Sequence, residues 1–103
     1  MSAPGRIFAL ADALRESPAP GNLAAEIAKL PGIDVEFYQP KGADLQKPHS
    51  RDELYVIARG RGTFELEDER RPFEAGDAIY VPAQARHRFA EFSEDFATWV
   101  MFF

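Results

Sequence analysis

Residues 49–60, HSRDELYVIARG, and residues 76–87, GDAIYVPAQARH, decide how this chain reads. His49 stands four residues before Glu53, and His87 stands five after Pro82 and eleven after Gly76. These are the only two histidines among 103 residues, and each adjoins strand-like sequence. Imidazole and carboxylate are the usual ligands of mid-row divalent metals, so the pattern points to one site assembled from both segments. Two histidines and one carboxylate leave coordination positions for substrate or dioxygen.

Outward from these segments, the chain from Leu54 onward is a series of short β-rich runs: LYVIARG, GTFELED, RRPFEAG, AIYVPA, HRFAEF and FATWVMFF. Gly, Pro or charged turns separate them. Regular short strands without intervening helices predict an all-β sandwich or barrel. Upstream, NLAAEIAKLPGIDVEFYQP reads two ways. Leu23, Ile27 and Leu30 have helical spacing, yet Pro31-Gly32 is a turn signal feeding a strand over 33–39, and a hairpin is expected. After a loose start over 1–5, Ile7, Leu10 and Leu14 recur at helical spacing before SPAPGN. They predict a lead-in strand and a short N-terminal helix.

A chain of this length supports one compact core, and residues 1–103 are expected to form a single domain. Nine Phe, three Tyr and one Trp favour strands over helices and a core built from rings. The formal charge of −5 disfavours a nucleic-acid partner, because affinity for phosphate backbones comes from Lys and Arg. The basic residues are also dispersed: Arg70-Arg71, Arg86 and Arg88 stand beside acidic ones. Without cysteine there is no disulfide framework or thiol nucleophile. The N-terminus has no sustained apolar stretch, and no segment is long enough to span a bilayer. The expectation is a soluble cytoplasmic protein without a membrane partner.

The last run, 96–103, is apolar on both faces: Phe96, Val100 and Phe102 share one parity, and Trp99, Met101 and Phe103 the other. A barrel strand needs only one buried face. Either a second copy of the chain covers the other, giving a homodimer, or the N-terminal segment does. A homodimer is the expectation. Because the chain ends inside this run, Phe103 is expected to belong to a paired strand.

In their spacing these residues resemble the cupin superfamily, small β-barrels with two consensus stretches joined by a variable hairpin. The first stretch runs Gly, five residues, His-x-His, three or four residues, Glu, six residues, Gly. Here Glu53 and Gly60 match, and His49 matches the second His. Lys47 falls where the first His would be, and Gly42 lies one residue off its place. The second stretch runs Gly, five residues, Pro-x-Gly, two residues, His, three residues, Asn. Gly76, Pro82 and His87 match at full spacing, while Gln84 replaces the Gly and Glu91 the Asn. The hairpin between them, turning near 67–70, is of the short kind usual in small single-domain bacterial cupins. The likeness covers about 34–103 and implies an antiparallel jelly-roll barrel. In that frame Gly60 and Gly62 flank a turn, Gly76-Asp77 makes another, and Pro82 ends a strand.

The resemblance also implies a ligand set. Four-ligand cupins use three His and one Glu to hold iron, manganese, nickel or zinc. His49, Glu53 and His87 remain, close in composition to the 2-His-1-carboxylate set of non-haem iron oxygenases. A strand beginning near Pro48 would put His49, Arg51 and Glu53 on one face. Lys47 must then point away from the metal, bind an anion or lose its proton. Gln46 would supply an oxygen only if the register slipped. Candidates for the pocket around the metal are Lys47, Arg51, Tyr55, Gln84 and Phe89. Arg51 would bind a substrate carboxylate or phosphate, or else pair with Asp52 or a surface acid.

Two functions follow. One is a metal-dependent enzyme, dioxygenase-like or isomerase-like, acting on a small polar molecule. The other is a small-molecule binding or sensing module, with or without metal. No second clear acid or base can be named within the two stretches, which weighs against the isomerase.

Overall fold

Strand faces follow directly from alternation in the sequence. In 53–59, ELYVIAR, Glu53, Tyr55 and Ile57 are buried while Leu54, Val56 and Ala58 are half-buried, the period of two that a strand with one core face demands. The computed structural model describes residues 4–103. One short helix, α1 (Leu10–Ala13), precedes eight strands: β1 (Ala25–Leu30), β2 (Ile33–Tyr38), β3 (Glu53–Arg59), β4 (Arg61–Leu66), β5 (Glu69–Glu74), β6 (Ala78–Val81), β7 (His87–Phe92) and β8 (Ala97–Phe102).

The all-β expectation holds, and so does the first hairpin. Pro31-Gly32 joins β1 to β2, with Gly32 at φ 80°, the conformation that a tight turn with Gly in its second central position uses. The expected lead-in strand does not form among the described residues. Positions 1–3 of the expected loose start lie outside them.

The strands form two antiparallel sheets, β1-β2-β8-β3-β6 and β5-β4-β7. Their inner faces enclose a ring-rich core: Phe89 lies 4.7 Å from Phe64 and from Phe96, and 4.9 Å from Tyr55, between ring centroids. Tilted and edge-on rings at such distances add to what burial alone contributes. Pro72 falls in β5, an edge strand, where its missing N–H costs no ladder bond. A smaller cluster of Ala13, Phe37 and Ala97 lies on the other side of the larger sheet, with Leu10, Leu14 and Trp99 packed on it. The N-terminal segment therefore covers the Trp99 end of β8's second face.

Gly60 sits between β3 and β4, where the chain leaves one sheet for the other. Its φ is 86°, and a Cβ there would lie 2.8 Å from the Phe96 backbone. Gly62 serves a different purpose from the turn expected of it. It lies within β4, and a Cβ would come 1.9 Å from the Glu91 carbonyl oxygen, so glycine is needed for close strand approach.

Candidate metal centre

Two strand starts and one loop converge at the end of the core. Glu53 is the first residue of β3 and His87 the first of β7. The strand over 53–59 begins at Glu53 and not near Pro48, so shared strand parity does not align His49 with Glu53. The intervening residues are tied elsewhere. Gln84 N donates to His49 O at 2.7 Å, Ala83 N to the Asp52 carboxylate at 2.8 Å, and Phe103 N to Asp52 O at 3.0 Å. The first two bonds clamp the loop before β3 against the loop before β7, and the third ties it to the end of β8. His49 comes within reach of His87 by that route.

The three side chains each offer a ligand atom, all within 4.8 Å of one another. His87 Nε2 is 2.8 Å from Glu53 Oε1, and His49 Nε2 is 3.8 Å from Glu53 Oε2, so each imidazole addresses its own carboxylate oxygen. Glu53 and His87 are buried, while the His49 side chain is 33% exposed and forms the outer edge of the group. Phe102 packs its ring edgewise on His49 at 5.1 Å.

Hydrogen-bonding logic shows what the cluster lacks. His87 Nδ1 lies 2.9 Å from Ala85 O, and a carbonyl can only accept, so Nδ1 carries the proton of the neutral ring. Nε2 then turns a lone pair toward an anionic oxygen. Glu53, 1% exposed, has neither carboxylate oxygen satisfied by a hydrogen bond, although buried polar atoms nearly always are. A lone-pair donor at His87 facing an orphaned carboxylate needs a cation between them, a proton or a metal. The proton alternative is visible in His87. Burial opposes its charging, but the Glu53 carboxylate, the Ala85 carbonyl and Asp44 together hold the ring above its ordinary pKa. The donor set of two nitrogens and one carboxylate fits a divalent first-row ion.

Tyr55 stands behind His87, its hydroxyl 3.1 Å from Nε2. Burial first, then Glu53, pushes its phenol well above the ordinary value, so it stays a hydroxyl and not a base. Phe89 belongs to the ring core. Neither residue lines the cavity that opens beside His49. Lys47 and Gln84 are exposed. Gln84 contributes its backbone, and its φ of 69° explains why glycine occupies this place in the consensus stretch. Arg51 pairs with Asp34 at 2.5 Å and donates to Phe102 O at 3.0 Å, so its acid is Asp34 and not Asp52.

Motif spacing did not pick out Asp44 or the part Gln46 plays. Asp44 accepts from the Tyr38 hydroxyl at 2.6 Å, Phe89 N at 2.9 Å and Gln46 Nε2 at 3.1 Å, tying its loop to β2 and β7. Because the Gln46 amide nitrogen goes to Asp44, its Oε1 faces His49 Nε2, at 3.3 Å. No register slip is needed, since Gln46 lies on a loop and not in a ladder. The polar residues of GADLQK were the only sign in the sequence.

Comparison with known proteins agrees with this architecture. The Cupin_2 family model, described as a cupin domain, matches residues 35–103. An uncharacterized protein of Streptomyces coelicolor is 39% identical over 59 residues, 57% of this chain. The match spans 56% of that relative, little more than half its length. A solved structure of unknown function from Rhizobium leguminosarum superposes with a TM-score of 0.76 at 19% identity, covering 98% of both chains. A cupin 2 conserved barrel protein from Salinispora arenicola gives 0.70 at 20% identity, covering 98% of this chain and 90% of that one. The motif-bearing strands, the two-sheet topology and the family match lead to one identification: the chain belongs to the cupin-2 family of cupin domains.

Proposed function

We propose that the chain is a metal-dependent cupin in which His49, Glu53 and His87 hold a divalent first-row ion beside a pocket for a small polar molecule. The observation that carries this reading is the Glu53 carboxylate, buried, without a hydrogen bond, and flanked by one imidazole on each oxygen. Iron, manganese, nickel and zinc all suit such ligands. A bound ion would supply Lewis acidity toward an oxygen donor and, if it were iron, redox chemistry.

The chain's own residues set the rest. Ala85 O fixes the His87 tautomer so that Nε2 is the free ligand atom, the usual role of a group behind a metal-binding histidine. Tyr55, kept protonated, can donate to the cluster but cannot take a proton from substrate. It therefore supplies no base for a proton-shuttling isomerisation. His49, at the exposed edge, is where a substrate meets the centre.

Elemental analysis of protein purified without chelator or affinity tag tests this reading, counting iron, manganese, nickel and zinc in wild type and His87→Ala. Near-stoichiometric metal in the wild type and its loss in the variant are expected. A wild type that takes up none of these metals, even after anaerobic loading, refutes the reading.

A further inference from the structure

Beside His49 a cavity of about 300 Å³ opens between the loop before β1, the strands β2 and β8, and the loop that carries His49. That volume is at the small end of small-molecule sites. Leu23, Val100 and Phe102 give it apolar walls, and Tyr38 and His49 polar ones. Glu36 and Glu26 supply its carboxylates.

Glu36 is a carboxylate in an unusual place. It shares a face of β2 with Tyr38, a member of the main core, while Phe37 on the opposite face packs toward α1. The register puts Glu36, Val100 and Tyr55 in one row across β2, β8 and β3, and Asp34, Phe102 and Glu53 in the next. Two strand spacings, roughly 10 Å, separate the Glu36 column from that of Glu53, a distance one small molecule can bridge.

The nearby cations are already engaged: Lys29 pairs with Glu26 at 3.2 Å, and Arg51 with Asp34. Glu26 also stands directly opposite Glu36 in the β1–β2 ladder, a like-charge pairing that is unfavourable without a counter-ion. Burial, then Asp34 and Glu26, raise the Glu36 pKa. Among the described residues, no Lys or Arg lines the cavity. Arg51 lines the adjoining cleft that shares Glu36, His49 and Phe102, but there it is paired with Asp34, so the charged residues of the cavity that stay without a cation are carboxylates.

We propose that this cavity binds a small molecule carrying a primary ammonium group, with Glu36 as the anchoring carboxylate and the ligand's carbon skeleton against Leu23, Val100 and Phe102. The inference rests on the metal-centre reading only for the far end of the ligand, which would point to His49. Lys29 pairs with Glu26 and not with Glu36, so an ammonium at Glu36 gives this second carboxylate its own charge-assisted hydrogen bond.

Titration of isotope-labelled protein followed by amide chemical shifts tests the assignment. The probes are phenethylamine, 2-phenylethanol and phenylacetate, one skeleton carrying a cation, a neutral hydroxyl or an anion, each added to metal-free and zinc-loaded protein. The expected result is shifts on β2 and β8, with phenethylamine bound at least about tenfold tighter than phenylacetate. In Glu36→Gln the preference should fall below about threefold, and in Glu36→Lys it should reverse toward phenylacetate. Equal affinities, a preference that survives in both variants, shifts confined to residues outside this cavity, or no binding of any probe would overturn the proposal. Zinc uptake read on the same samples separates the two ideas. Lost uptake with the amine preference intact sinks the metal reading alone, and the reverse sinks this one alone.

Discussion

The two histidines reach the cluster by different means. His87 opens a strand, is buried, and is fixed by the Ala85 carbonyl behind it and by Tyr55 and Phe64 beside it. His49 rides a loop with no ladder of its own, held by one backbone bond from Gln84 and by the Gln46 contact. One half of the site is thus part of the core, and the other is stitched on. In such an arrangement the fold sets where the metal sits, and the loop sets how well the last ligand closes on it.

The largest expected effect lies on the core side. Phe89 touches Tyr55, Phe64, Phe73 and Phe96, and Phe89→Ala should destabilise the protein by about 3–5 kcal/mol in denaturant unfolding. A loss under about 1 kcal/mol would mean that the ring cluster does not support the His87 side. On the loop side, Asp44→Asn should act on the metal more than on the fold. Asp44 ties the loop that leads into His49 to β2 and β7, and loosening it is expected to weaken metal affinity about tenfold, the scale of losing a group that orients a ligand. Competition with a chromophoric chelator measures it, and unaltered affinity would detach Asp44 from the site.

The pH dependence sharpens the same contrast. His87 is held above its ordinary pKa of 6.5 in the folded state, so its contribution to the stability of the metal-free protein is fully present below about 6.5. That contribution is lost as pH rises through the folded value. Metal binding, which needs the ring unprotonated, should strengthen over the same window. Melting temperatures of metal-free wild type and His87→Gln between about pH 6 and 9 check this, and parallel curves would contradict it. The smallest effect belongs to Gln84→Gly, which removes a side chain from a positive-φ position. A gain of up to about 1 kcal/mol is expected, with His49 still held through the backbone bond.

The same contrast governs how much could be read from sequence. Alternation placed Tyr55 and Ile57 inward, and Pro31-Gly32 announced its hairpin, because strand faces and turns are encoded in neighbouring residues. Gly76, Pro82 and His87 kept the family spacing, and their strand start placed His87 where that spacing implied. The His49 loop carries no such code. Its shape depends on Gln84 and Phe103, far along the chain, so extending the strand to Pro48 misplaced His49 and Arg51 on the Glu53 face, although the surface-acid pairing expected for Arg51 is met by Asp34. Gly62 reads as a turn residue in sequence because only the folded sheet brings the Glu91 carbonyl against it. Glu36 stayed unnoticed for a related reason. It lies outside both consensus stretches, and its isolation appears only once Lys29 and Arg51 have found other partners.

Calorimetric titration of metal-free protein with zinc, in wild type, Glu53→Gln, His87→Ala and His49→Ala, probes the His49/Glu53/His87 centre itself. One site per chain is expected, with affinity reduced at least about a hundredfold in Glu53→Gln and His87→Ala and less in His49→Ala, which removes only the loop-borne ligand. Wild-type binding that survives in Glu53→Gln, or no binding at all, would contradict it.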